Sequence, residues 1–153
     1  MVFYSLLASL VALALASPFP SWVDQYPIFG NVTIFTPPSN WSNHWTTYAR
    51  TVLLDQNGET DDILLASWSF QPPGRTYAPI YQSKDGGLSW NQLSKVYFSA
   101  ADKPGSTILQ VFLYELPRTI GAYPAGTVLL TANAVPANHS STNIQLYASL
   151  DKG

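Results

Sequence analysis

Ser83-Lys84-Asp85-Gly86-Gly87-Leu88-Ser89-Trp90 decides the reading of this chain. The pattern Ser-x-Asp-x-Gly-x-Ser-Trp has the chemistry of a tight hairpin. Asp85 tolerates turn geometry, and its carboxylate can accept backbone N–H bonds across the turn. Gly86 and Gly87 reach positive φ without steric cost, as a short hairpin loop requires. Trp90 opens the next strand, where its ring can fold over the turn. Tyr77, Ile80 and Tyr81 before the turn, and Leu93, Val96, Tyr97 and Phe98 after it, supply two apolar strands.

The motif recurs. Ser149-Leu150-Asp151-Lys152-Gly153 is a second Ser-x-Asp-x-Gly, 66 positions after the first. Each copy follows an apolar strand ending in Tyr-x-Ser, Tyr81-Gln82-Ser83 and Tyr147-Ala148-Ser149. Repeats on this scale point to propeller blades or similar arrays. The second copy stops before its Trp, so the chain reads as the front part of a longer protein.

Length and composition set the bounds. Leu6–Leu15 is an apolar run broken only by Ser9, followed by the small-x-small site Ala14-Leu15-Ala16. Residues 1–16 read as a signal peptide, with Ser17 first after cleavage. A buried helix or membrane anchor is the competing reading, but a bilayer span needs about 20 residues. The expected location is therefore secreted and extracellular, with no membrane attachment after cleavage. Three N-glycosylation acceptors, Asn31, Asn40 and Asn138, fit that route. The chain has no Cys. Small secreted domains usually depend on disulfides, whereas a large β fold does not. Seven Lys and Arg against nine Asp and Glu leave a net charge of −2 and no basic patch, which argues against nucleic acid. Aromatic residues reach 14%, which suits a sheet core and also suits sugar rings. Neither His has a partner at metal-ligand spacing, so no metal and no cofactor is expected.

In chain order, residues 17–46 are rich in Pro and Trp, which excludes a long helix. Val32–Phe35 reads as a short strand, and His44 with Trp41 and Trp45 as an aromatic cluster that could pack or carry a sugar. Strands follow at Thr47–Leu54, Ile63–Phe70, Tyr77–Gln82 and Trp90–Phe98, the first two joined by an Asn57-Gly58 hairpin turn. Residues 47–98 then form one four-stranded meander. A second, partial one occupies 107–153, with strands at Thr107–Leu116, Thr127–Val135 and Asn143–Ser149. The fold class is all-β.

The chain resembles secreted fungal Asp-box (BNR-repeat) proteins of the sialidase-like superfamily, and within it the glycoside hydrolase family of exo-α-L-arabinanases. Residues carrying the likeness are Tyr48-Ala49-Arg50, Ala78–Gly87, Phe112–Pro117, Tyr123–Leu130 and the terminal Tyr-Ala-Ser-x-Asp-Lys-Gly. It covers roughly 46–153. The resemblance implies a sialidase-like β-propeller of six blades, of which this chain holds the first one to two. It makes Ser83, Asp85, Gly87, Trp90, Ser149, Asp151 and Gly153 structural Asp-box residues. It also places ligand on the face opposite the box turns, built by the starts of the inner strands and the second-to-third loops.

On that geometry most carboxylates lie on the wrong face. Asp55, Glu59, Asp61, Asp62 and Glu115 cluster near the first-to-second turns, and Asp85 and Asp151 belong to the boxes. Asp102, between the blades, is the one acidic candidate for ligand contact; a solvated loop residue is the alternative. Glycosidases usually need two carboxyl groups flanking the scissile bond. No such pair is evident here, so no catalytic residue is assigned. The other substrate-binding candidates are Arg50, where sialidases place a carboxylate-binding Arg, together with Arg75, Tyr77 and Asn133. Each has an ordinary alternative in strand pairing or loop chemistry. Residues Phe70–Tyr77 contain no Asp or Glu, which disfavours a true sialidase.

The leading functional expectation is a part of a secreted hydrolase acting on neutral, arabinan-type plant polysaccharide. A non-catalytic propeller binding glycan or protein is one alternative, and an inactive truncated product is another. An incomplete propeller would expose unpaired strand groups and an apolar blade face. Poor solubility of the chain alone is the corresponding expectation.

Overall fold

The computed structural model describes residues 30–42, 45–56 and 63–153. The signal segment, residues 17–29, His44, the Asn57-Gly58 turn, Glu59, Asp61 and Asp62 lie outside the described residues. Among the described residues there are seven strands: β1 (Thr46–Leu54), β2 (Ile63–Phe70), β3 (Ala78–Ser83), β4 (Asn91–Val96), β5 (Thr107–Glu115), β6 (Val128–Val135) and β7 (Asn143–Ser149). They make two antiparallel sheets with strands in chain order, β1-β2-β3-β4 and β5-β6-β7. The strand limits fall within two residues of those read from the sequence. Val32–Phe35, expected as a strand, is not one; Val32 and Thr33 are exposed, and Ile34 and Phe35 pack on β2 instead of pairing with it.

Side-chain alternation explains how the sheets meet. In β2, Ile63 and Leu65 point to one face, and Ala66, Trp68 and Phe70 belong to the other cluster. The first face packs on the second sheet. Leu54, Ile80, Phe98 and Ala101 there meet Ile108, Val111, Leu113, Val128, Leu130 and Ala132 in one core. The opposite face of β2 is covered by Ile34, Phe35 and Trp41. Phe35 sits 5.4 Å from Trp68, and Trp41 stacks on Phe70 at 5.7 Å. Both faces of β2 are therefore buried, which is why the strand is apolar almost throughout and not simply alternating.

The two sheets are also tied at both ends by polar contacts. At one end, Glu115 of β5 accepts the backbone N–H of Asp55 at 2.6 Å and that of Gln56 at 3.2 Å. At the other, the Thr76 hydroxyl donates to the Ser106 carbonyl at 2.7 Å, and Gln71 Nε2 donates to the same oxygen at 3.4 Å.

The two Ser-x-Asp-x-Gly turns share one hydrogen-bond net. Ser83 Oγ donates to Asp85 at 2.7 Å and accepts the Gly87 N–H at 2.8 Å. Ser149 Oγ donates to Asp151 at 2.6 Å and accepts the Gly153 N–H at 2.7 Å. In the first turn Asp85 also accepts the Ser89 N–H at 2.9 Å and the Ser89 hydroxyl at 2.6 Å, and Trp90 Nε1 donates to the Gly87 carbonyl at 2.9 Å. The Ser89 bonds, with Ser83, hold the Asp85 carboxyl down to about 2. Asp151 is lowered in the same direction, chiefly by Ser149. The left-handed position falls on Gly86 (φ +68°) in the first turn and on Lys152 (φ +72°) in the second.

Candidate functional site

The end of the sheets where β1 and β5 begin carries most candidate side chains. Both inner strands are bulged there. In β1, Thr47 faces Ser69 and Arg50 faces Ser67, so three steps oppose two. In β5, Leu109 faces Asn133 and Phe112 faces Thr131, with the same mismatch. The residue after each first pair takes a left-handed backbone: Tyr48 at φ +53° and Gln110 at φ +56°. Neither is a glycine, so each carries local strain of about 1–2 kcal/mol. A bulge re-aims a side chain and sharpens strand twist. The matching register shows that the two sheets are built alike down to this irregularity.

The five substrate-binding candidates are distributed as follows. Arg50 follows the β1 bulge, exposed, with Nη1 donating to the neighbouring Ala49 carbonyl at 3.2 Å. The Arg75 guanidinium lies over the Tyr97 ring at 4.4 Å. Tyr77 packs edge-on against Phe70 at 5.0 Å and beside Tyr97 at 5.6 Å, with Lys95 Nζ 4.7 Å from its ring centre. Asn133 Nδ2 donates to the Gln110 side chain at 2.5 Å. Asp102 ends the short 3-10 turn Ser99–Ala101 and is exposed. Arg75 and Tyr77 are thus brought together through Tyr97, while Arg50, Asp102 and Asn133 stand in separate surroundings. Trp41, suggested as a sugar platform, is engaged in packing on Phe70.

A cavity of about 310 Å³ opens at this end, lined by Ile34, Phe35, Thr46, Thr47, Tyr48, Ala49 and Trp68. Trp68 is only 5% exposed, and its Nε1–H has no acceptor among the described residues. Ser67 Oγ and Ser69 Oγ on the same strand are also buried, with no partner among the described residues. Tyr81, 4.9 Å from Trp68, has its phenol pushed up by burial, with Tyr77 adding to the effect. Tyr48 and Gln110 are the residues that sequence reasoning missed: nothing in their identity signals a left-handed backbone in mid-strand. Among the described residues no three His, Asp or Glu converge as a metal site would require.

No protein-family model matches the chain, and no curated protein matches it. Solved structures do. The GH93 α-L-arabinofuranosidase of Fusarium graminearum in complex with arabinobiose is 39% identical, with a TM-score of 0.68 over 82% of this chain and 33% of its own. The α-L-arabinofuranosidase Arb93A of the same fungus, with an iminosugar inhibitor, is 40% identical with a TM-score of 0.70, over 82% of this chain and 33% of its own. The α-L-arabinanase of Penicillium chrysogenum with arabinobiose is 40% identical with a TM-score of 0.70, over 82% of this chain and 34% of its own. The chain spans about a third of the length of these solved relatives. Over the matched four-fifths of its length, this all-β chain resembles the GH93 α-L-arabinofuranosidases and α-L-arabinanase in both sequence and fold.

Proposed function

We propose that this chain is part of a secreted glycoside hydrolase-like β-propeller acting on arabinan-type polysaccharide, and that its share of the work is to hold carbohydrate. The observation that carries this reading is the 39–40% identity, over 82% of the chain, to structures solved with arabinobiose. The chemistry of the sheet end supports it. Side chains there are aromatic, amide, hydroxyl and Arg groups, suited to a neutral sugar with many hydroxyls. Three of the described carboxylates are committed elsewhere: Glu115 to the Asp55 and Gln56 amides, and Asp85 and Asp151 to their own turns; Asp102 is exposed beside the short turn Ser99–Ala101 and has no second carboxylate paired with it among the described residues. We therefore assign the chain a substrate-holding role and no acid or nucleophile.

The two turns that share a hydrogen-bond net are taken as Asp boxes, which fix the loops of successive blades and leave the opposite end for ligand. Export through a signal peptide at residues 1–16 belongs to the same proposal. So does glycosylation at Asn31, Asn40 and Asn138. Asn138 Oδ1 accepts the Ser140 hydroxyl at 2.8 Å, and Asn138 is exposed. The test is calorimetric titration of the chain with arabinobiose, with xylobiose and sialic acid as comparisons. Saturable binding of arabinobiose in preference to sialic acid is expected. Sialic acid binding in its place, or no binding of any of the three sugars, overturns the reading.

A further inference from the structure

We propose that the β4 edge of the first sheet carries a separate binding site for an anionic, uronate-bearing saccharide, built by Arg75, Tyr77, Lys95 and Tyr97. It goes beyond the neutral-sugar reading above and does not depend on it. The geometry starts from the register of β3 and β4. Ala78 faces Val96 and Pro79 faces Lys95, so Tyr77 and Tyr97 stand opposite each other one step beyond the pairing. Alternation along the chain sends Phe98 into the core and turns Lys95 and Tyr97 to the other face. The two phenol rings lie 5.6 Å apart, and Tyr77 is braced edge-on by the buried Phe70 at 5.0 Å. Arg75 sits over the Tyr97 ring at 4.4 Å, and Lys95 Nζ stands 4.7 Å from the centre of the Tyr77 ring.

Two cations are thus held on two rings. A ring fixes the position of a cation but offers it no oxygen, so the N–H donors still lack an anion. Among the described residues neither Arg75 nor Lys95 is paired with a carboxylate. Both are exposed, and Tyr97 is 40% exposed, so the cluster is open to a ligand arriving from outside. The chain as a whole has a net charge of −2, which makes this uncompensated pair of positive charges a local departure. The cations and the rings together select the ligand. A carboxylate answers the guanidinium and the ammonium, and a flat C–H face answers the exposed part of the rings. A uronate joins both features in one sugar unit, and a chain of uronates repeats them. A small inorganic anion meets the charges alone, and an acidic peptide brings carboxylates without a rigid ring face.

The experiment titrates the whole 153-residue chain with trigalacturonate, its fully methyl-esterified form, a short polyglutamate and arabinobiose. Esterification keeps the sugar faces and removes the charge. Trigalacturonate is expected to bind saturably and to weaken as salt rises. Arg75→Gln and Lys95→Gln should each weaken it about two- to fivefold, the worth of one exposed ion pair, and the methyl ester should bind about four- to twenty-fivefold more weakly, the loss of both. Tyr97→Leu, which removes a ring and keeps both charges, should weaken the acid and the ester alike. Lys95→Gln should bind arabinobiose as the native chain does. The comparison of acid with ester uses only the native chain, so it decides the matter even where a variant folds poorly. Equal affinity for acid and ester, equal affinity for polyglutamate, or native affinity in all three variants overturns the site. No binding of trigalacturonate also overturns it, and arabinobiose bound in the same series leaves the carbohydrate reading standing. Trigalacturonate bound without arabinobiose supports the site and counts against the arabinan reading.

Discussion

Glu115→Ala is the sharpest test of how the two sheets are joined. Glu115 is 8% exposed, and its carboxylate reaches sixty positions back along the chain to the turn after β1, to the Asp55 N–H at 2.6 Å and the Gln56 N–H at 3.2 Å. A hydrogen bond to a charged acceptor contributes about 1.5–3 kcal/mol net, and the longer bond less. Removing the carboxylate also leaves two backbone donors at a partly buried seam. Alanine should therefore cost about 2–4 kcal/mol. Glutamine keeps one acceptor oxygen but turns an amide N–H₂ toward a donor, so about 1–2 kcal/mol is expected. The assay is urea denaturation followed by tryptophan fluorescence, with the m-value checked for two-state behaviour. Sugar binding provides the contrast. Glu115 lies at the far end from the β1 bulge, so Glu115→Gln should bind arabinobiose with native affinity. An alanine variant within about 0.5 kcal/mol of the native chain would refute the claim that this contact holds the sheets together.

Two further outcomes concern the repeated turn. Because the Asp85 carboxyl is held at about 2 in the fold, below its ordinary value, the stability that its Ser89 and Ser83 bonds supply is fully present above about pH 4–5 and is lost as pH falls through about 2; denaturation midpoints measured between pH 6 and pH 2 should fall on that acid limb, and Asp85→Asn should flatten it. Lys152→Gly should stabilise the chain by about 0.5–1 kcal/mol, since Lys152 holds φ +72° where the first turn has a glycine, and the relief of left-handed strain exceeds the added freedom of the unfolded chain. A lower urea midpoint for that variant would contradict the strain argument.

The unpartnered face of the second sheet bears on handling. Ile144 is 78% exposed on β7, and Leu146 stands beside it on the same outward edge. Contiguous apolar surface of this kind marks a contact face or an aggregation site.

Much of this molecule was legible in its residues. Strand positions follow from apolar alternation and from Pro and Gly punctuation, both local signals. The hairpin at Ser83–Trp90 follows from a carboxylate and two glycines at fixed spacing, and its echo at Ser149–Gly153 fixes the repeat. Glu115 could be set aside as a catalytic candidate from its place in the meander, but only the packed sheets reveal its actual partners, because a contact across some sixty positions leaves no local trace. Arg75 and Tyr77 were legible as residues flanking the loop between β2 and β3. That Arg75 is engaged on Tyr97 depends on where β4 ends relative to the loop before β3. The bulges at Tyr48 and Gln110 were invisible, since a left-handed residue without glycine is imposed by the register between neighbouring strands and not by its own preference. So the sequence by itself determined the all-β class, the order of strands and the turn chemistry, which depend on short-range periodicity and backbone sterics. The tertiary structure alone decided which donors are left unpaired, which carboxylates are consumed in packing, and which ring is turned toward a cavity, because those outcomes depend on how two sheets distant in sequence settle against each other.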